Sequence, residues 1–270
     1  MALQVDVRTA IKNKNPKLAQ HIPEFVIRWI ERLIHQDEMN VFLDKHSEDE
    51  PIVFAQSLCQ FFDVKLNVIN EERFPKTGRY IIVSNHPLGA LDGVSLIAYA
   101  GQYRSDIHFP VNDLLMYIKP LKGVFVPINK HGRNGSDFVS QLDAAFASDG
   151  LICYFPAGIC SRKQKGKICD LDWKKTIIAK ARQFERDIIP VYFDAKNSDR
   201  FYRISNLRKK LGFKFNFEML LLPDEMFRQQ GNTFTLTIGE PIPHTTFDTS
   251  EKKDVEWAAW LKEKVYSLNQ

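Results

Sequence analysis

The stretch Ser84-Asn85-His86-Pro87-Leu88-Gly89-Ala90-Leu91-Asp92-Gly93 sets an imidazole and a carboxylate six positions apart in a turn marked by proline and glycine. A histidine within hydrogen-bond reach of a carboxylate can do acid–base work. The carboxylate fixes the ring tautomer, and the remaining ring nitrogen takes a proton from a hydroxyl. Read alone, the same residues also make an ordinary strand-to-helix turn, with Asp92 in the first turn of a helix. Three later stretches have compositions as unusual: Pro127-Ile128-Asn129-Lys130-His131-Gly132-Arg133, Phe155-Pro156-Ala157-Gly158-Ile159-Cys160-Ser161-Arg162, and Ile189-Pro190-Val191. Cys160 reads as a small buried residue rather than a nucleophile, because nothing in the sequence pairs it with a base. Cys59, Cys153, Cys160 and Cys169 show no metal-ligand spacing. With no secretory signal at the N-terminus, they read as reduced cytosolic thiols, and no metal is expected.

The first three of these stretches follow an apolar run that reads as a strand, and Ile189-Pro190-Val191 lies within one. "RYIIVSN" is continuous and suits a strand covered on both faces, as do "GVFVPIN", "LICYFPAG" and "DIIPVYF", with "DIHFPV" a further strand. Between them, "ALDGVSLIAYAG", "NDLLMYIKPL", "DFVSQLDAAFASDG" and "DWKKTIIAKARQF" carry helical spacing, the third closed by Gly150 as a C-terminal cap. "VKLNVIN" and "NTFTLTIGEPIP" alternate like half-buried strands, and a short helix is expected after Pro223. The pattern predicts an α/β fold with a largely parallel mixed sheet flanked by helices. We read 1–270 as a single domain, with an N-terminal helical segment over 1–60, an α/β core over 64–245 and a C-terminal helix over 251–268. In an open sheet of this kind, functional groups gather just past the carboxyl ends of the strands.

The ordered set of motifs resembles the four sequence blocks of the glycerolipid acyltransferase superfamily, the lysophosphatidic acid acyltransferases and their relatives. The family pattern is Asn-His-x4-Asp, a second block with a basic residue, Phe-Pro-Glu-Gly-Thr-Arg-Ser, and a Val-Pro-Val type strand. The resemblance spans Tyr80 to Phe193 in the same order. It is strongest to the bacterial hemolysin-like or lyso-ornithine-lipid acyltransferase branch. It implies an enzyme in which His86 takes the proton of an acceptor hydroxyl as that oxygen attacks an acyl thioester, with Asp92 orienting the ring. Asn85, Gly89, Asn129, Lys130, Phe155, Pro156, Gly158, Ser161 and Arg162 fall at positions that would shape the substrate site. Backbone N–H groups at Gly89 or Gly158 are candidate oxyanion donors.

Three departures from the pattern bear on the acceptor. Five residues rather than four separate His86 from Asp92, Ala157 and Cys160 replace a glutamate and an arginine, and the second block carries Asn129-Lys130. Losing an arginine removes a bidentate phosphate clamp, which Arg162, Lys130 or Arg133 would have to replace with another geometry. A lyso-aminolipid of the lyso-ornithine or lyso-glycine type is therefore the expected acceptor. A 1-acylglycerol-3-phosphate acceptor, a thioesterase or lipid hydrolase, and a non-catalytic lipid-binding protein stand as alternatives. The donor would be a thioester on acyl carrier protein or coenzyme A, with no further cofactor. Both carriers are anionic, which suits the basic run Arg162–Lys167.

The bulk composition fits this reading and narrows it. Twenty phenylalanines in 270 residues suggest a large apolar interior or a lipid-facing surface, and the formal net charge is +4. No apolar run approaches the ~20 residues of a spanning helix. Any membrane contact would thus be peripheral, on the inner face of the cell membrane, through Phe25 and Trp29 or through "RKKLGFKF". The 24–36 stretch also reads as a helix packed on the domain by Val26, Ile30, Leu33 and Ile34. Basic clusters occur without a nucleic-acid-binding motif, so no nucleic-acid partner is expected.

Overall fold

Along strand β2 (Tyr80–Ser84), Ile81 and Val83 enter one apolar layer and Ile82 enters the other. A run buried on both faces forgoes alternation, which is why "YIIV" reads as continuous. The computed structural model describes residues 5–14, 16, 20–112, 115–116, 118–128 and 135–269. Strand β2 lies between β5 (Leu151–Tyr154) and β8 (Asp187–Asp194), parallel to both. Strands β3 (Ile107–Val111) and β4 (Phe125–Pro127) continue the parallel block beyond β5. On the other side β9 (Thr233–Ile238) joins β8 antiparallel, and β1 (Lys65–Ile69) closes the edge parallel to β9. The sheet order is β1-β9-β8-β2-β5-β3-β4. It is mixed and mostly parallel, as the sequence led us to expect.

Helices cover both faces. Phe42, Phe54, Leu58, Leu91 and Ile97, from the Gln36–His46, Pro51–Phe61 and Leu91–Ala100 helices, pack on the Ile82 side. Phe146, Ile177, Trp257 and Leu261, from the Gly135–Ala147, Thr176–Gln183 and Asp254–Tyr266 helices, pack on the Ile81 side. A third, smaller cluster joins Cys160 to Phe201, Tyr202, Leu221 and Leu222. It ties the loop after β5 to the Asp199–Lys210 helix and to the 217–227 segment, which forms a 3₁₀ turn at Phe217–Leu221 followed by a short helix at Leu222–Phe227.

Several local expectations change. Gly150 does not cap a helix: a β-carbon there would lie 2.5 Å from the Asp106 carbonyl and 2.7 Å from the His108 ring, so close approach of β3 requires the glycine. Over 112–121 a helix was expected, yet Lys119–Leu121 forms a 3₁₀ turn that contains Pro120. The Glu24–Leu33 helix ends at His35, whose φ of 52° turns the chain into Gln36–His46. Within that helix Ile27 is buried, while Phe25 and Trp29 stand 73% and 58% exposed. A hairpin that the sequence did not announce, β6 (Arg162–Gln164) with β7 (Lys167–Cys169), turns at Lys165 and Gly166, both at positive φ.

Candidate active site

Strand β2 delivers its chain to the carboxyl edge of the sheet, where Asn85 prolongs the pairing with β8 by side chain. Its Nδ2 donates to the Phe193 carbonyl at 2.9 Å, and its Oδ1 accepts from the Phe193 N–H at 2.7 Å. Both ends of that buried amide are thereby committed to the fold rather than to a substrate. His86 follows, anchored through its backbone. Its N–H donates to Asp170 Oδ1 (3.2 Å) and its carbonyl accepts from the Ser161 N–H (2.7 Å).

The chain then turns through Pro87, Leu88 and Gly89. Gly89 has a φ of +92°, which favours glycine, and a β-carbon there would press on Leu222 at 3.0 Å and on Cys160 at 3.1 Å. This turn absorbs the extra residue between His86 and Asp92. Asp92 sits in the first turn of the Leu91–Ala100 helix, where the helix dipole favours a carboxylate. Its Oδ2 accepts the Leu88 and Gly89 N–H groups (2.8 and 3.3 Å), and its Oδ1 accepts the Gly93 N–H (2.9 Å).

His86 Nδ1 and Asp92 Oδ2 lie 2.9 Å apart. The carboxylate is fully buried, and the His86 side chain is 14% exposed. The ring stacks on Phe155 at 4.2 Å and 20°, and Phe155 in turn meets Phe109 edge-on. Burial works against the imidazolium, but the charge and hydrogen bond of Asp92 outweigh it, and Asp170 adds to them. The ring pKa is therefore raised above the ordinary 6.5. Burial works against the Asp92 carboxylate as well, yet His86 and the Leu88 and Gly89 N–H groups overcome it and hold its pKa below 3.8. A ring that donates Nδ1–H to a fixed carboxylate presents Nε2 as a base.

Asp170, which the sequence did not single out, holds the two loops together. Besides the His86 N–H, its Oδ1 accepts Ser161 Oγ–H at 2.6 Å, and its Oδ2 accepts Trp173 Nε1–H at 2.9 Å. The Tyr266 hydroxyl receives the Asp170 N–H, and the Lys262 ammonium donates to the Asp170 carbonyl. The one signal was a carboxylate between apolar neighbours, "ICDLDW". Ser161 gives its hydroxyl proton to Asp170 and its N–H to the His86 carbonyl, so it stands behind the pair, buried.

Other sequence candidates fall elsewhere than expected. The Gly158 N–H donates to the Phe155 carbonyl and the Gly89 N–H to Asp92, so both proposed oxyanion donors have acceptors within the fold. Pro156 is buried and its carbonyl accepts from Lys174. Arg162 does not face the pair. Its guanidinium is buried, with Nη1 on the Cys160 carbonyl (2.6 Å) and sulfur (2.9 Å), Nη2 on Glu218 (3.2 Å), and the Phe201 ring beneath it. To serve as a replacement phosphate clamp it would have to give up Glu218 and the Cys160 carbonyl, both buried partners. Burial pushes the Cys160 thiol up to about 11, which leaves it unreactive. Asn129, Lys130, His131 and Arg133 lie outside the described residues. Among the described residues, no group of three or more His, Cys, Asp or Glu could hold a metal, and no helix is long and apolar enough to cross a membrane.

Comparison with known proteins adds three findings. A family model described as an acyltransferase matches residues 9–270. The chain is 46% identical over 265 residues to a lyso-glycine lipid O-acyltransferase of Bacteroides thetaiotaomicron, covering 98% of this chain and 97% of that one. It is 43% identical over 265 residues to a lyso-glycine lipid O-acyltransferase of Phocaeicola vulgatus, covering 98% and 95%. Among solved structures, the 1-acyl-sn-glycerophosphate acyltransferase PlsC of Thermotoga maritima aligns over 81% of this chain and 79% of that one, with a TM-score of 0.47 and 18% identity.

Proposed function

This chain belongs to the acyltransferase family, and from that membership we propose that it acylates the free hydroxyl of a lyso-aminolipid of the glycine type, with His86 as general base and Asp92 as its partner. The observation that carries the reading is the 2.9 Å pairing of His86 Nδ1 with a fully buried carboxylate, which leaves Nε2 as the basic nitrogen. The two relatives that cover nearly the whole chain act, by their names, on a lyso-glycine lipid.

The step balances without a cofactor. The acceptor O–H loses its proton to Nε2 as its oxygen bonds to the thioester carbonyl carbon. The tetrahedral intermediate then expels the thiolate, which takes the proton from the imidazolium. An O-acyl bond forms, a C–S bond breaks, and the carrier leaves as a thiol. The lipid hydroxyl is itself the nucleophile, consistent with a Cys160 held as thiol and a Ser161 already engaged. The engaged Arg162 and the substituted Ala157 and Cys160 support an acceptor without a phosphate headgroup.

The test is an acceptor panel: lyso-glycine, lyso-ornithine and lysophosphatidic acids, each with labelled acyl–acyl carrier protein or acyl–coenzyme A. The expected product is O-acylated glycine lipid. Efficient acylation of lysophosphatidic acid with both aminolipids ignored would overturn the acceptor assignment. Rapid acyl release without any lysolipid would instead make the protein a hydrolase.

We place donor docking on the β6–β7 hairpin. Arg162 is buried at its base, which leaves Lys163, Lys165 and Lys167 for an anionic carrier. Lys163 pairs at the surface with Asp199 at 3.3 Å, a contact worth little in water. Reversing the three charges should raise the donor KM roughly tenfold at low salt and leave kcat unchanged, with the difference fading as screening increases. A donor KM that does not move would dismiss this surface.

A further inference from the structure

We infer that the surface formed by residues 207–220 docks the protein on an anionic lipid bilayer. The inference rests on the acyltransferase reading above, because a lysolipid acceptor resides in a bilayer. The Asp199–Lys210 helix ends in a glycine turn: the Gly212 N–H bonds the Lys209 carbonyl, the Phe213 N–H bonds the Arg208 carbonyl, and Gly212 has a φ of +76°. Arg208 Nη1 donates to the Phe213 carbonyl at 2.7 Å and pins the turn. That backbone holds Leu207, Leu211, Phe213, Phe215 and Leu220 between 50% and 66% exposed, five large apolar side chains from one short segment. A cluster of this kind on a soluble surface marks an interaction site.

Charge indicates what covers it. Lys209, Lys210 and Lys214 alternate with these apolar groups, are exposed, and take part in no ion pair among the described residues. From 200 to 217 the sequence contains no acidic residue. Lysines interleaved with Phe and Leu match a membrane boundary, where rings enter the acyl region and ammonium groups meet anionic headgroups. A second exposed pair, Phe25 and Trp29, has little of that complement beyond Arg32. Its helix carries Glu24 and Glu31, which engage Arg8, and Arg28 is paired to Glu24 as well.

The same surface is fastened to the site. Arg208 Nε stands 2.8 Å from Glu218 Oε2 in a buried ion pair, and Glu218 Oε1 meets Arg162 Nη2. Arg162 holds the Cys160 carbonyl, and the next residue, Ser161, bonds the His86 carbonyl. A bilayer gripped by 207–220 therefore lies at a fixed distance from His86, with Arg162, Glu218 and Arg208 setting the spacing.

The experiment is co-sedimentation of the full-length chain with phosphatidylglycerol–phosphatidylcholine vesicles and with pure phosphatidylcholine vesicles. Three variants accompany it: Leu211→Ser/Phe213→Ser/Phe215→Ser, Lys209→Glu/Lys210→Glu/Lys214→Glu, and Phe25→Ser/Trp29→Ser. Wild type and the Phe25/Trp29 variant should bind the anionic vesicles equally. The apolar triple should lose about tenfold or more. The charge reversal should lose roughly fivefold per lysine, in a salt-dependent manner. With acceptor dispersed in detergent micelles, the apolar and lysine variants should turn over at the wild-type rate. Absence of turnover in every protein would count against the acyltransfer reading alone, because vesicle binding is measured without turnover. Vesicle binding that survives both 207–220 variants, is lost with Phe25/Trp29, or is absent in wild type overturns the inference. So does a pattern in which the lysine variant changes only the KM for acyl carrier protein.

Discussion

His86→Ala should lower acyl transfer by about 10²–10⁴-fold, the usual contribution of a positioned general base, while the folded structure persists. The structural work of this residue is done by its backbone. The N–H to Asp170 and the carbonyl held by Ser161 are untouched by the substitution, so the two motif loops stay joined. The side chain contributes the pairing with Asp92 and the stack on Phe155. Asp92 keeps its three backbone donors after the ring is gone, so its charge is not left bare. The variant should therefore keep the wild-type circular dichroism and still protect against proteolysis, with KM for both substrates close to wild type and the loss in kcat. His86→Gln is the control for ring volume and should be equally inactive. Transfer within about threefold of wild type in either variant would remove His86 from the chemistry.

How much of this could be read from the sequence differs from residue to residue. His86 and Asp92 were legible because a short turn brings them together, and a six-position separation leaves few arrangements. The strands were legible where burial is uniform, as in "YIIV", or alternates, as in "TFTLTI". Asp170 was not, because its bond to the His86 N–H joins residues 84 positions apart, and no local pattern encodes such a contact. Asn85, Arg162 and the Gly158 N–H are the converse case. Their types suggested substrate contacts, yet the buried Asn85 amide and Arg162 guanidinium, and the Gly158 N–H, have partners within the fold that the sequence does not show. Gly150 was misread for a related reason: the sequence shows that a glycine follows a helix, but not that a neighbouring strand leaves no room for a β-carbon.

These assignments alter the division of labour in the motifs. Asn85 beside His86, and Cys160, Ser161 and Arg162 in "AGICSR", are bonded within the fold, and these bonds have a consistent logic. Asn85 fixes where β2 ends, Asp170 and Ser161 fix the His86 backbone, and Arg162 with Glu218 fixes the loop that carries Ser161. The pair itself is thus held from behind by groups bonded to one another within the fold, which leaves Nε2 as the ring nitrogen not bonded to Asp92. An imidazole held in this way would need no reorganisation in the proposed proton transfer.

Asp92→Asn should cost nearly as much as loss of the base, about 10²–10⁴-fold, and it should leave a different signature. In the wild type, kcat/KM should fall on the acid side as His86 gains a proton, with a midpoint above 6.5 because Asp92 raises the ring pKa. Without that carboxylate the burial of the ring, which opposes the imidazolium, has less to balance it, and the acid midpoint should move to lower pH. The amide also donates where the carboxylate accepted. With its nitrogen at the Oδ2 position it donates to Nδ1, which leaves Nε2 protonated, and faces the Leu88 and Gly89 N–H groups; turned round, it faces the Gly93 N–H instead. The first arrangement removes the basic Nε2, and the second sets two donors against each other at Gly93. Stability should fall too, by about 1–3 kcal/mol for the disrupted buried hydrogen bonds. Because the folded-state pKa of Asp92 lies below 3.8, the part of wild-type stability due to its charge is present above that pH and is lost as pH falls below it. A merely structural aspartate would lower kcat and stability but leave the acid midpoint in place. A midpoint that stays where it was, measured on the residual activity of the asparagine variant, would detach Asp92 from the tuning of His86.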